Sequence, residues 1–322
     1  LITRTTDIFE REQTTNPVLI GVARGLLNRT DAEIDEERST GNLSYSLNLS
    51  WQYDDHGLAY LRNTRGFKSG GFNPNVPDGD PNKFEYDDEE VNSIELGAKM
   101  MLLDGAATLN LAAFYTELTD LQVSSFVDSG FIVGNAAEST SQGVEIEARW
   151  QAAPFLDFTV SGAYLDSVYD DFPGAPCTAD QLAADDPVAS GCEGWVAANP
   201  TAGTTNLAGQ TAGRAPQWTG TLITNLTLPV GDAMLFRGTV DVMFEDELNT
   251  PADPNYQDSY VRVNARLALA STLDTWTVAL VGKNLTDETL FGNGFGVGFF
   301  SGSWAKNRQP PRTVALDLSY RF

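Results

Sequence analysis

Hydrophobic residues alternate with polar ones along most of the chain, the period of two that sends successive strand side chains to opposite faces of a sheet. Over 43–51, Leu43, Tyr45, Leu47, Leu49 and Trp51 share one face, and Ser44, Ser46, Asn48 and Ser50 share the other. The stretch 216–228 repeats this, with Trp218, Leu222, Leu226 and Leu228 against Gln217, Thr219, Thr221, Asn225 and Thr227. The C-terminus does so again, with Val314, Leu316, Leu318, Tyr320 and Phe322 against Thr313, Asp317, Ser319 and Arg321. Less regular runs at 58–66, 91–102, 106–117, 142–151, 155–166, 232–246, 258–270 and 274–283 bring the expected strands to eleven, with 1–9 as a candidate twelfth.

Each run is about 9 to 13 residues, long for a soluble sheet but sufficient to cross a bilayer when tilted. The connections alternate in length. Short turns fall at 52–57, 103–105, 152–154, 229–231 and 271–273, with Asp104-Gly105, Pro154 and Gly231-Asp232 as turn formers. Long loops fall at 67–89, 118–140, 167–214, 247–257 and 284–310. Such sorting is the mark of an outer-membrane barrel, with short turns on the periplasmic side and long loops outside; a soluble sandwich has no reason for it.

This topology sets Trp51, Trp150, Trp276, Tyr320 and Phe322 at periplasmic strand ends, and Tyr115, Tyr164, Trp218 and Phe244 at outer ends. Those are the two belts where an aromatic ring keeps one end wet. The opposite faces carry Glu95, Lys99, Glu145, Glu147, Arg149, Arg237, Asp241, Arg262, Asn264 and Arg266. A Lys or Arg facing lipid at mid-depth costs on the order of 2–4 kcal/mol, so these side chains must face a polar lumen. The expected fold is all-β, an antiparallel transmembrane β-barrel.

Composition narrows the function. The 322 residues hold 20 Lys and Arg against 44 Asp and Glu, a net charge of −24 that argues against nucleic acid as a partner. One histidine, His56, and two cysteines, Cys177 and Cys192, leave little material for a zinc site or a Cys-His dyad. His56 sits in the turn Asp54-Asp55-His56-Gly57 with no reason for a nucleophile nearby, so no catalytic residue, metal or cofactor is assigned and the chain is read as a non-enzyme. No apolar run is long enough for a transmembrane helix, which leaves a barrel untouched. The acidic runs Asp31 to Glu37, Asp87 to Glu90 and Asp185-Asp186 lack the spacing of a calcium loop and read as solvated outer segments or cation bridges to lipopolysaccharide. The glycine-rich stretch Phe291 to Phe300 lacks the Lys-Ser/Thr and helix of a phosphate cradle.

Several stretches on these strands resemble the TonB-dependent outer-membrane receptors, of the siderophore-receptor kind, over the C-terminal part of their barrel. They are Arg65-Gly66-Phe67-Lys68-Ser69-Gly70-Gly71-Phe72-Asn73, Val91 to Lys99, Ser141-Gln142-Gly143-Val144-Glu145-Ile146-Glu147, Asn206-Leu207-Ala208-Gly209 with Arg214-Ala215-Pro216, Asn284-Leu285-Thr286-Asp287-Glu288, and the terminal Ser319-Tyr320-Arg321-Phe322. Leu290 departs from the aromatic that the family carries after its Asn-Leu-x-Asp element.

The resemblance implies that residues 1–322 supply about 11 or 12 strands of a 22-stranded plugged barrel, without the plug domain or the TonB-contacting segment. By itself such a piece has unpaired edges near 42–51 and 312–322, and is expected to aggregate or to close artificially into a small barrel. The resemblance further implies active uptake of a scarce ligand, foremost an iron–siderophore complex, in the outer membrane of a Gram-negative bacterium. Cobalamin, carbohydrate, aromatic compounds and a passive porin are the alternatives, and a barrel enzyme is a further one that the single His disfavours. The implied partners are the TonB-ExbB-ExbD complex acting through the plug, lipid and lipopolysaccharide, and the barrel assembly machinery that reads Tyr320 and Phe322. In an oxidising envelope, Cys177 and Cys192 read as a loop-stapling disulfide worth about 3 kcal/mol, with free thiols as the alternative. Ligand-contact candidates on the outer loops are Arg65, Phe67, Lys68, Phe72, Asn73, Trp195, Phe299, Phe300 and Trp304, against barrel architecture or packing in the mouth as the other reading.

Overall fold

The computed structural model describes residues 37–73, 76, 81–127, 130–196, 203–213, 215–250, 253–296 and 304–322. Eleven strands form one antiparallel sheet in chain order: β1 (Tyr45–Asp54), β2 (Gly57–Lys68), β3 (Glu89–Leu102), β4 (Ala107–Val127), β5 (Gly130–Ala153), β6 (Leu156–Asp171), β7 (Trp218–Val230), β8 (Met234–Glu245), β9 (Tyr260–Ser271), β10 (Trp276–Lys283) and β11 (Thr313–Tyr320). The candidate strand 1–9 lies outside the described residues.

The register keeps the alternation continuous across the sheet. Leu49 opposes Leu61, Leu61 opposes Leu96, Leu222 opposes Val242 and Val160, and Leu280 opposes Leu267 and Leu316. The polar face is equally continuous and ties itself by hydrogen bonds: Tyr60 to Glu95 at 2.6 Å, Arg62 to Glu95 at 3.1 Å, Asn225 to Asp157 at 3.1 Å and Asn264 to Asp241 at 2.6 Å. The apolar face is uncovered. Leu49 is 71% exposed and Leu318 67%, values that a soluble sheet would bury and a lipid-facing one leaves for acyl chains.

Two glycines show how tightly that wall is built. A Cβ on Gly97 would stand 2.3 Å from the Tyr60 ring, so the ring lies over the bare backbone and reaches Glu95 beyond it. A Cβ on Gly143 would meet the Tyr164 carbonyl oxygen at 2.2 Å.

Two expectations need correction. The segment 118–140 is not a plain loop, because β4 and β5 run on for 21 and 24 residues, on the order of 70 Å at the usual rise. Register shifts between Leu118 and Leu121 and on to Gln122, with Asp120 at φ 53°, break the period of two there, although pairing resumes and continues to Val127 and Gly130. Nor does the sheet close into a small barrel: among the described residues β1 pairs with β2 alone and β11 with β10 alone. With an odd number of antiparallel strands, β1 and β11 run in the same direction, so the ladder that joins every other pair cannot join these two. The other long connections carry their own short hairpins, Gly71–Phe72 with Glu85–Tyr86, Ala175–Pro176 with Thr204–Thr205, Leu248–Thr250 with Asp253–Gln257, and Phe291–Gly296 with Trp304–Arg308.

Leu280→Arg, mid-strand on the apolar face, is expected to destabilise the complete protein in lipid vesicles by roughly 2–4 kcal/mol. Ser319→Arg, on the polar face of β11, is expected to cost much less, and denaturant unfolding of both variants in vesicles checks the difference.

Candidate functional site at the outer mouth

The loop between β2 and β3 is held by side-chain amides, each linking residues distant in sequence. Asn73 is 2% exposed. Its Nδ2 donates to the carbonyls of Lys83 at 2.8 Å and Val133 at 2.7 Å, and its Oδ1 accepts from the Val133 amide at 2.9 Å. Gln122 Nε2 donates to the Ser69 and Asp87 carbonyls at 3.1 and 3.0 Å. Asn135 Nδ2 donates to the Asp87 and Asp120 carbonyls at 2.9 and 2.8 Å. The β2–β3 loop and the β4–β5 extension are thereby tied to each other.

A second tie comes from the segment before β1. Arg38 pairs with Glu85, with Asp87 at 3.1 Å and with Asp88 at 3.2 Å. Asp88 also accepts from the Gly70 amide and the Thr40 hydroxyl, both at 2.7 Å, while Glu90 accepts from Asn42 at 3.0 Å and Arg65 at 2.5 Å. The Gly70 amide first, then Thr40 and Arg38, hold the Asp88 carboxyl down at about 2. The acidic run 87–90 is therefore a clasp closed by protein donors. In the other two runs, 31–36 lies outside the described residues and Asp186 receives the Ala189 amide at 3.1 Å.

The β6–β7 connection forms the third part of the rim. Cys177 and Cys192 are joined in a disulfide with Cα atoms 5.5 Å apart. Thr178 and Gln181 cap a short helix, Ala179–Ala183, reciprocally. Gly203 sits between the disulfide and Trp195, and a Cβ there would lie 2.4 Å from Cys192 Sγ. Phe172 and Ala175 pack with Ala137 of β5, and Leu121, Val123, Tyr169 and Leu207 close over them.

The predicted contact residues separate on this frame. Register puts Arg65 and Phe67 on the face shared with Leu61, and Lys68 on the face shared with Arg62. Lys68 is exposed, 4.0 Å from Glu89; Phe72 is half-buried in its short hairpin; Asn73 spends its amide on the loop itself. Trp195 is half-buried, and its Nε1 is enclosed without a hydrogen-bond partner among the described residues. Phe299 and Phe300 lie outside the described residues, and Trp304 pairs through its backbone with Gly296. At the opposite, periplasmic end the Tyr320 and Phe322 rings meet edge-on at 5.1 Å, and Tyr320 opposes Trp276. His56 donates its amide to Asp54 at 2.7 Å in an exposed turn. Sequence reasoning missed Arg38, Asn42, Gln122 and Asn135.

Two clefts open on the polar face toward the outer end. One, of about 340 Å³ across β5 to β8, is lined by Glu145, Glu147 and Glu245 among the small residues Ser161, Thr219 and Thr221. The other, of about 410 Å³ across β8 to β10, is lined by Arg262, Arg266, Lys283, Asp241 and Asn264, with Leu290, Gln309, Pro310 and Pro311 from the loop above.

A lipid-facing sheet with this rim matches the family model described as TonB dependent receptor-like, beta-barrel, over residues 19–285. The chain belongs to that family. Its members are transport receptors rather than enzymes, and they reside in the outer membrane of Gram-negative bacteria. Among curated relatives, the pesticin receptor of Yersinia enterocolitica is 29% identical over 137 residues, 42% of this chain and 19% of its own. Among solved structures, the ferric yersiniabactin uptake receptor FyuA of Yersinia pestis aligns with a TM-score of 0.63 at 19% identity, covering 85% of this chain and 36% of that one. The siderophore receptor PiuA of Acinetobacter baumannii aligns at 0.62 and 18% identity, covering 86% and 35%. The receptor chain thus spans about a fifth of the curated relatives' length and about a third of the solved ones.

Because its folded value lies below the ordinary carboxylate value near 4, Asp88 contributes stability that is present above that value and lost as pH falls toward 2. The rim clasp is expected to hold at neutral pH and release between about pH 4 and pH 2, with Asp88→Asn released already at neutrality. Hydrogen exchange of the Gly70 amide across that range checks it. Asn73→Ala leaves buried backbone partners unmet and is expected to loosen the same loop at about 1–3 kcal/mol, read by limited proteolysis.

Proposed function

We infer that the chain is the barrel part of a receptor that takes up a ferric siderophore across the outer membrane, driven by TonB with ExbB and ExbD. The observation that carries this reading is the family match over 19–285 on a sheet whose outer end is built into a packed rim. The receptors named for ferric yersiniabactin and for siderophores, which share the fold, support iron chelates ahead of cobalamin, carbohydrate or aromatic cargo. Capture would fall to the outer segments that carry Lys68, Phe72, Trp195 and Trp304, of which Lys68 shares the polar face of β2 with Arg62. Arg65 and Phe67 would instead anchor the outer rim, since their face turns to lipid. A chain net charge of −24 suits bridging by divalent cations to lipopolysaccharide. The disulfide and the amide ties would keep the capture surface rigid while a plug inside the barrel moves.

The test is radioactive iron uptake in a strain lacking its own siderophore receptors, complemented with the complete gene. Uptake of at least one ferric siderophore is expected, abolished by deletion of TonB. Uptake that persists without TonB would indicate a passive pore, and growth rescue by cobalamin or an oligosaccharide instead of iron would reassign the cargo.

A further inference from the structure

The sheet ends its ladder at one level, and its tallest hairpin continues above it. β3 pairs with β4 as far as Thr119, opposite Glu90, and β6 pairs with β5 as far as Glu138, opposite Asp171. Beyond those pairs, residues 121–127 and 130–137 pair in main chain only with each other among the described residues. The irregularities gather at the same level. Register shifts lie between Leu118 and Leu121, between Leu121 and Gln122 and between Glu138 and Ser139, and Asp120 is left-handed at φ 53°. A hairpin joined to the wall through a bulge, with no ladder on either flank, bends at that bulge more easily than anywhere below it.

Side chains take over where the ladder stops. The Gln122 amide donates to the Glu89 carboxylate at 2.9 Å, and Asn135 Nδ2 donates to the Asp120 carbonyl at 2.8 Å. Bonds of this kind, at a level that water reaches, exchange with solvent at small net cost, whereas a ladder opens only cooperatively. Above the break the hairpin carries a loop on each side. On one, Asn73 holds both the amide and the carbonyl of Val133. On the other, Leu121 and Val123 close over Phe172 and Ala175, with Ala137 in the same cluster. Both loops are therefore fastened more firmly to the hairpin than the hairpin is to the wall.

We propose that residues 121–137 form a lever arm that pivots at the Asp120 bulge, and that the β2–β3 loop and the disulfide-stapled β6–β7 connection ride on it together. The assembly is rigid within itself, and its freedom lies at its base. A shift of one loop is passed to the other through the arm, so whatever touches one loop biases the position of both. This coupling goes beyond the uptake reading and holds whatever the cargo is.

Two measurements on the complete receptor in lipid vesicles test it. The first reads hydrogen exchange in the loop opposite the one altered. Asn73→Ala is expected to speed exchange of the Gly209 amide, which donates to the Tyr169 carbonyl at 2.8 Å, by roughly fivefold or more. Phe172→Ala is expected to do the same to the Asn73 amide, which donates to the Phe84 carbonyl at 2.7 Å. The Gln309 amide, bonded to the Leu290 carbonyl away from the arm, is the reference and is expected to stay unchanged. Acceleration confined to the altered loop, or reaching Gln309 equally, overturns the coupling. The second measurement needs no core variant. Spin labels at Glu117→Cys and Ser124→Cys straddle the pivot, and labels at Thr108→Cys and Glu117→Cys lie below it; all three positions are exposed, and the native cysteines are held in their disulfide. Double electron–electron resonance is expected to give a broader distance distribution for the pair across the pivot. Equal widths for the two pairs overturn the lever.

Discussion

Inside a bilayer no water is present to satisfy a peptide group, so every N–H and C=O of a spanning strand must find its partner on the neighbouring strand. That requirement governs this molecule. It fixes an unbroken register from β1 to β11, and with a fixed register each residue's parity decides whether it meets lipid or lumen. Leu61 and Arg62 are neighbours in the chain but belong to different solvents. It also explains why the described sheet has no sizeable hydrophobic core: the apolar face is completed by lipid, and the polar face by hydrogen bonds such as Tyr60 to Glu95.

Above the membrane water returns and the constraint relaxes, yet the rim is not loose. Pairing of β4 with β5 continues past the bulge at Leu118 to Leu121, giving the neighbouring loops a rigid post. Asn73, Gln122 and Asn135 fasten one loop to that post, and the Phe172 cluster fastens another. Primary amides suit the task because each offers donors and an acceptor to backbone groups that would otherwise be stranded in a buried loop. The price is specificity of position, since an amide moved by one residue meets nothing.

The strands were legible in the sequence because a period of two is a local signal, and each of the eleven runs from 43 to 322 falls on one of the eleven strands, although β4 and β5 extend about ten residues beyond theirs. Legibility ended where locality ended. The β4–β5 extension was hidden by a bulge that interrupts the alternation without ending the pairing. The longest ties made by Arg38, Asn73 and Asn135 join residues 47 to 60 positions apart, and no spacing rule marks such pairs in one sequence. The Arg65 to Asn73 motif was visible as a motif, but only the register shows that Arg65 and Phe67 lie on the face opposite Lys68. The sorted charges at the mouth were visible as charges; their grouping into an acidic and a basic cleft needs the order of strands.

Strand parity carries one consequence beyond the chain. Each strand reverses direction, so the eleventh points as the first does, and the two edges present ladders that no antiparallel bond can join. A barrel built on this sheet with every pair antiparallel contains an odd number of further strands, which makes the total even. The same arithmetic places both edges in equal need: β1 offers Leu47, Leu49 and Trp51 to lipid beside backbone that is unpaired among the described residues, and β11 offers Leu316, Leu318 and Tyr320 in the same state. Exposed edges of this length favour pairing with whatever strand is available. The closure of the barrel is thus as much a part of the fold's stability as any contact within the sheet, because the last two rows of peptide groups can enter lipid only after it has formed.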